Sequence, residues 1–119
     1  MDRKAQIRAY KERTRAMGVF QVRNTVNGKL LIGSATDVPA MLNRQQAQLR
    51  LGAHPNAPLQ ADWHAFGAAA FAFETLDLLT VPDDPAFDPR PDLAVLQTLW
   101  LEKLSPFGDR GYNRAPRTS

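Results

Sequence analysis

Residues 18–35, GVFQVRNTVNGKLLIGSA, constrain the fold more than any other stretch of the chain. They read as two short strands joined by a tight turn at Asn27-Gly28, two residues that tolerate positive φ. On the first strand Phe20 and Val22 fall on one face, and Val19, Gln21 and Arg23 on the other. On the second, Leu30 and Ile32 alternate with Lys29 and Leu31, and Gly33-Ser34 ends it. Spacing alone supports an antiparallel hairpin in an α+β domain.

Such a hairpin must find partners that cover its apolar faces. Residues 3–15 predict a helix with Ile7, Tyr10 and Thr14 as a thin apolar stripe. After Ala35, Thr36 or Asp37 caps a second helix with Pro39 in its first turn. Val38, Met41, Leu42 and Leu49 mark its buried face, while Asn43, Arg44, Gln46, Gln48 and Arg50 are expected in water. His54 to Pro58 reads as a loop because of its two prolines. A helix follows from about Leu59 to Phe66, with Leu59, Trp63 and Phe66 inward. Phe71 to Leu76 alternates and predicts a third strand with Phe71 and Phe73 in the core. Residues 77–92 hold five aspartates and four prolines and read as a stiff acidic connection. Asp92 is expected to cap a last helix through Leu104, with Leu93, Leu96, Leu99, Trp100 and Leu104 as its apolar side.

At 119 residues, 44% hydrophobic and 23% charged, the chain suits one soluble domain with a real core. It has no cysteine, so disulfides, thiolate metal sites and a cysteine nucleophile are excluded. No apolar run is long enough for a bilayer, and the start MDRKAQ has no apolar signal core, which fits a cytoplasmic setting and no membrane partner. The net charge of +3 is unevenly placed. Residues 1–15 hold Arg3, Lys4, Arg8, Lys11, Arg13 and Arg15 against Asp2 and Glu12, a +4 arm that leaves −1 for the remainder. Clustered Lys and Arg neutralise phosphates and release counterions. The aspartates of 77–92 lack the regular spacing of a calcium loop and read as a solvated connection.

The order helix, strand, strand, helix, helix, strand, helix, together with particular residues, resembles the GIY-YIG nuclease family. GVF at 18–20 stands at the GIY position and LIG at 31–33 at the YIG position. QVRNTVNGKLLIGSATD is similar to the same segment of phage intron homing endonucleases. GAHPNAPLQADWHAFG (52–67) resembles the family's loop and helix after the arginine helix. FAFETLD (71–77) resembles its third strand, and LWLEKL (99–104) with GYN (111–113) its closing elements. The likeness covers about residues 18–113. A bacterial subgroup with degenerate motifs, often labelled LuxR-like regulators, is similar down to the basic arm, although this chain has no room for a separate helix-turn-helix domain.

The resemblance implies a fold of three mainly antiparallel strands flanked by helices, and a site for cutting phosphodiesters. Family members use a tyrosine from each half of the motif, an arginine on the first helix, a glutamate that holds a divalent metal, and often a late asparagine. The corresponding positions here are Phe20, Leu31, Met41 and Gln97, with Arg44 one turn beyond Met41. His54 and Asn113 match residues used in some members. Phe20 has no hydroxyl to move a proton, a contribution of typically ~10²–10⁴ in rate. Met41 cannot stabilise charge on a phosphate, and Gln97 offers a neutral oxygen where Mg²⁺ favours a carboxylate.

These features lead to a nucleic-acid-binding protein of GIY-YIG fold that has lost the family's cleavage, with a basic arm at 1–17, a domain at 18–113 and a tail at 114–119. Arg3, Lys4, Arg8, Lys11, Arg13, Arg15, Arg23, Lys29, Arg44 and Arg50 are the expected phosphate contacts, with DNA favoured over RNA. Two alternatives stand beside it. One is a metal-dependent DNA endonuclease rewired around His54, Arg44 and Glu74 or Glu102. The other is a protein-interaction domain that uses the acidic connection. No cofactor is expected, and Mg²⁺ or Mn²⁺ enters only under the nuclease reading. Phe20 and Leu31 should line one groove on one face of the sheet.

Overall fold

A computed structural model of the chain describes residues 16–115. The expected N-terminal helix, with Arg3, Lys4, Arg8, Lys11, Arg13 and Arg15, lies outside these residues, as does the end of the tail from 116. The elements are β1 (Gly18–Asn24), β2 (Leu30–Ala35), α1 (Val38–Arg50), α2 (Ala57–Phe66), β3 (Phe71–Leu78) and α3 (Arg90–Leu104), with short 3₁₀ turns at Ala68–Ala70 and Gly108–Arg110. The three strands form one antiparallel sheet in the order β2-β1-β3. The α+β expectation holds.

The hairpin turn is wider than its sequence suggests. Arg23 pairs with Leu30, and the loop closes through Asn24 N–H to Lys29 O at 2.9 Å and Gly28 N–H to Asn24 O at 2.8 Å. Only Gly28 takes positive φ there, at +78°, so Asn27-Gly28 is not a two-residue turn. The cause is Asn24, which is fully buried: its Oδ1 accepts Val26 N–H at 3.0 Å and its Nδ2 donates to Tyr112 Oη at 3.2 Å. Thr25 adds two bonds to Ala70 O, from its N–H at 2.7 Å and its Oγ1 at 2.8 Å. A buried polar side chain that would otherwise be unsatisfied thus outweighs the local turn preference.

Asp37 caps α1 by accepting Ala40 N–H at 3.2 Å, a contact typically worth about 1 kcal/mol. Val38 and Leu49 are buried, while Gln46 and Gln48 are half-buried rather than wet. Helix α2 starts earlier than expected. Asn56 caps it through Leu59 N–H at 3.0 Å, and Pro58 sits in the first turn, where its missing N–H costs nothing. Leu59 and Trp63 point inward, but Phe66 on the last turn is 43% exposed. Trp63 fills the space over the sheet, 5.3 Å from Phe71 and 6.3 Å from Phe73 between ring centroids.

Strand β3 runs to Leu78, with Leu76 bulged between the Phe20–Thr75 and Val19–Asp77 pairs. Asp77 therefore belongs to the sheet and accepts Trp100 Nε1–H at 3.0 Å. Helix α3 begins at Arg90, so Asp92 lies inside its first turn and does not cap it. Asp88 instead accepts Arg90 N–H at 3.1 Å. Leu93 is buried and Leu96, Gln97, Trp100 and Leu104 are half-buried, a stripe that faces β1 and β2. Leu99 falls off this stripe and is 56% exposed beside Val95 at 62%.

One face of the sheet carries Val22, Phe71, Leu31 and Phe73 against Leu49, Leu59, Trp63 and Tyr112, and Phe20 against Ala35 and Val38 with Met41 and Leu42. The segment after α3 closes the β2 edge. Gly111 bridges Leu30 in parallel, and Tyr112 N–H donates to Leu30 O at 2.8 Å. A Cβ at Gly111 would fall 2.4 Å from Pro106 O and 2.6 Å from Leu30 O, so this approach requires glycine.

Candidate functional site

The register Phe20–Gly33 and Val22–Leu31 puts Phe20 and Leu31 on the same face, as the resemblance requires. Both line a hollow of about 340 Å³ with Ile32, Gly33, Gln45, His54, Pro55 and Asn56. Strands β1 and β2 supply its floor, α1 supplies Gln45, and the loop before α2 supplies His54. Phe20 is 4% exposed, and its ring lies over Gly33.

His54 is held through its backbone N–H and both ring nitrogens. Its backbone N–H donates to Gln60 Oε1 at 3.0 Å, and its Nδ1 accepts Asn56 N–H at 3.0 Å. Its Nε2 lies 2.5 Å from Gln45 Oε1. Since Nδ1 must accept, the proton sits on Nε2 and points at the glutamine oxygen. Burial lowers the pKa of this imidazole, which keeps it neutral. Gln45 then turns its Nε2 to Met41 Sδ at 3.6 Å. An uncharged chain, Met41–Gln45–His54, thus runs along the side of this hollow. Sequence reasoning missed Gln45, although it lies one helical turn from Met41 on the same face.

Asn113 does not line the hollow but fixes its wall. Its Oδ1 accepts Ile32 N–H and its Nδ2 donates to Ile32 O, both at 2.8 Å. Both functional atoms of this amide are engaged with the β2 backbone. Tyr112, next in line, donates to Asp62 Oδ2 at 2.7 Å and accepts from Asn24. Burial, and then the hydrogen bond to Asp62, pushes its phenol up to about 12.

Met41 also borders a second hollow of about 430 Å³, with Ser34, Ala35, Thr36, Asp37, Ala40, Arg44 and Leu93. Arg44 is exposed at its margin. Gln97 meets this hollow only through Ser34, whose Oγ donates to Gln97 Oε1 at 2.7 Å. The residues at the family's metal position do not fit a divalent ion. The one oxygen that faces inward is neutral and already accepts a hydrogen bond, and no group of three His, Cys, Asp or Glu with ligand geometry occurs among the described residues.

The carboxylates considered as substitutes lie elsewhere. Glu74 pairs with Gln21 on the sheet face opposite Phe20 and Leu31. There it takes a bidentate contact from Arg23, Nε at 2.8 Å and Nη2 at 3.3 Å, and a bond from Gln21 at 3.0 Å. The Arg23 hydrogen bond is the main reason its pKa is lowered. Arg23 is thereby neutralised and is not a free phosphate contact. Glu102 borders an outer hollow of α3 with Ala94, Val95, Thr98 and Leu99. Lys29, Arg44 and Arg50 form no ion pair among the described residues. No helix among these residues is long and apolar enough to cross a membrane.

No family model matches the chain. The intron-associated endonuclease 1 of enterobacteria phage T4 is 29% identical over 102 residues, which is 85% of this chain and 38% of that protein's length. The chain thus spans about two fifths of that relative. The solved catalytic domain of homing endonuclease I-TevI superposes with a TM-score of 0.67 at 26% identity, over 84% of this chain and 99% of the domain. A variant of the same domain gives 0.68 at 26% identity, over 87% and 97%. The strand order, the shared face of Phe20 and Leu31 and these likenesses agree: the chain has the fold of the GIY-YIG nuclease catalytic domain and is similar in sequence to members of that superfamily.

Proposed function

We propose that this chain binds nucleic acid through a GIY-YIG fold and does not carry out the cleavage for which the superfamily is named. The observation behind this reading is the uncharged Met41–Gln45–His54 chain beside Phe20 and Leu31. A phosphodiester in that hollow would meet no hydroxyl or cation to move a proton or hold developing charge. A positioned acid or base is typically worth ~10²–10⁴ and an electrostatic donor ~10²–10³. Such groups act as a unit, so losing one removes most of the effect of the others. The relatives are endonucleases, whose substrates are nucleic acids, and the +4 stretch at 1–15 supports retained phosphate binding. DNA is the favoured partner, with the arm and the free cations of the domain as contacts.

Two measurements test this. Incubation of single- and double-stranded DNA with the purified chain and Mg²⁺ or Mn²⁺ should yield no products. Cleavage that persists through purification and disappears in His54→Ala or Arg44→Ala would establish the rewired nuclease instead. Fluorescence anisotropy should detect binding that weakens with salt, and removal of residues 1–15 should flatten that dependence. A chain with no affinity for DNA or RNA at low salt refutes the reading.

A further inference from the structure

The segment 110–114 runs alongside residues 29–33 of the β2 edge. Gly111 bridges Leu30, Tyr112 N–H bonds to Leu30 O, and Asn113 clasps both backbone groups of Ile32. Lys29 and Arg110 therefore stand at one level of this edge, and Arg114 follows the residue level with Ile32. Arg110 and Arg114 are exposed and Lys29 is half-exposed. None of the three has an acidic partner among the described residues, in contrast to Arg23 with Glu74 and Arg90 with Asp88. Leu31, Ile32 and Gly33 on the same edge form the lip of the hollow that holds Phe20 and His54. The acidic connection leaves the sheet from the opposite end, where Gly18, Ala35 and Leu78 pair, so the two ends of the strands differ in charge.

Resting on the nucleic-acid reading above, we propose that this edge binds single-stranded nucleic acid, with phosphates on Lys29, Arg110 and Arg114 and an unpaired base in the hollow. A phosphate in the hollow would lose its hydration against Phe20, Leu31 and Pro55 with no cation to compensate, whereas an uncharged base has apolar faces that suit those walls. The cations outside and the apolar walls inside thus sort the two parts of a nucleotide. A duplex, whose bases are stacked and paired, offers only its phosphates.

Anisotropy on labelled single-stranded and duplex oligonucleotides of one sequence, with the full chain, tests the assignment. The single strand should bind at least tenfold tighter. The triple variant Lys29→Ala, Arg110→Ala, Arg114→Ala should lower single-strand affinity at least tenfold. It should also flatten the slope of log affinity against log salt by about 2, from roughly 0.7 per phosphate. Leu31→Glu should weaken the single strand and spare the duplex, and Arg23→Ala should change neither. Circular dichroism confirms that each variant is folded. Binding by the parent chain with unchanged affinity and slope in the triple variant overturns this surface and leaves the general reading standing. Duplex binding equal to or tighter than single-strand binding overturns the base in the hollow. No binding of either nucleic acid overturns both.

Discussion

Nε2 of His54 and Oε1 of Gln45 lie 2.5 Å apart, and the same glutamine reaches Met41 Sδ through its other amide atom. This contact requires a proton on Nε2, and the bond from Asn56 N–H requires an unprotonated Nδ1, so the imidazole is neutral. Protonation would also place an Nδ1–H against Asn56 N–H, which now donates to that atom. Burial lowers the folded pKa of His54 below its ordinary 6.5. The stability it contributes is therefore present above pH 6.5 and lost as pH falls through the folded value. Thermal unfolding between pH 8 and 5 should show this loss in the parent chain and a flatter profile in His54→Ala. The variant should also be less stable at pH 7 by about 1–3 kcal/mol, because Gln45 and Asn56 lose a buried partner. Identical pH profiles for the two proteins would contradict the assigned protonation.

Gly33→Ala should destabilise the domain without touching any polar contact. The new Cβ would lie 2.7 Å from Phe20 Cζ and 2.9 Å from Cε1. Phe20 is enclosed by Ala35, Val38, Met41 and Leu42, so its ring cannot swing aside freely. Overpacking of this kind costs about 1–3 kcal/mol. A double-mutant cycle with Phe20→Leu should show favourable coupling, since the smaller side chain gives the methyl room. Additive effects in denaturant melts would argue against the contact.

Asn113→Ala removes two hydrogen bonds to Ile32 and leaves that residue's N–H and C=O without this partner. The expected cost is on the order of 2 kcal/mol, or a melting temperature lower by roughly 8–16 °C at this size. Amide hydrogen exchange at Ile32 should accelerate more than at Gln21, its neighbour on β1. Unchanged protection at Ile32 would show that the amide does not hold the strand.

Tyr112 gives the opposite pH dependence from His54. Its folded pKa is raised from 10 to about 12, so the protonated phenol is favoured in the fold. That stability is fully present below pH 10 and disappears as pH rises toward 12. Tyr112→Phe should be less stable at pH 8, with Asn24 and Asp62 both losing the hydroxyl, and should lack the additional loss between pH 10 and 12. Absorbance of the tyrosinate during an alkaline titration checks the shift directly.

The hairpin, the three main helices and the third strand were legible because each carries a local signal: alternation, a cap or a breaker. What escaped were features set by partners distant in sequence. Asn24 widened the turn because Tyr112, 88 residues away, bonds to it. Asp92 is a good cap by type, yet Asp88 and Pro89 let α3 begin earlier. Leu99 satisfies a helical period, but the sheet meets the stripe through Gln97 on Ser34 and Trp100 on Asp77. At the site, Phe20 and Leu31 share one face as expected and line a hollow with His54, while Arg23 and Glu74 cancelled each other on the far face. No single residue type signals such a pairing, because it depends on which strand register the fold selects.

The clasp of 106–113 on β2 also has a consequence for how the molecule is made. Its contacts with Leu30 and Ile32 span about eighty positions, so they form late and carry a large loop-closure cost. During synthesis the hairpin leaves the ribosome well before Gly111, Tyr112 and Asn113. Until these residues arrive, the backbone groups of Leu30 and Ile32 on that edge are open to any passing strand. An exposed strand edge is a template for aggregation. A nascent chain stalled before Pro106 should therefore self-associate, while release of a few more residues should leave it monomeric at the same concentration.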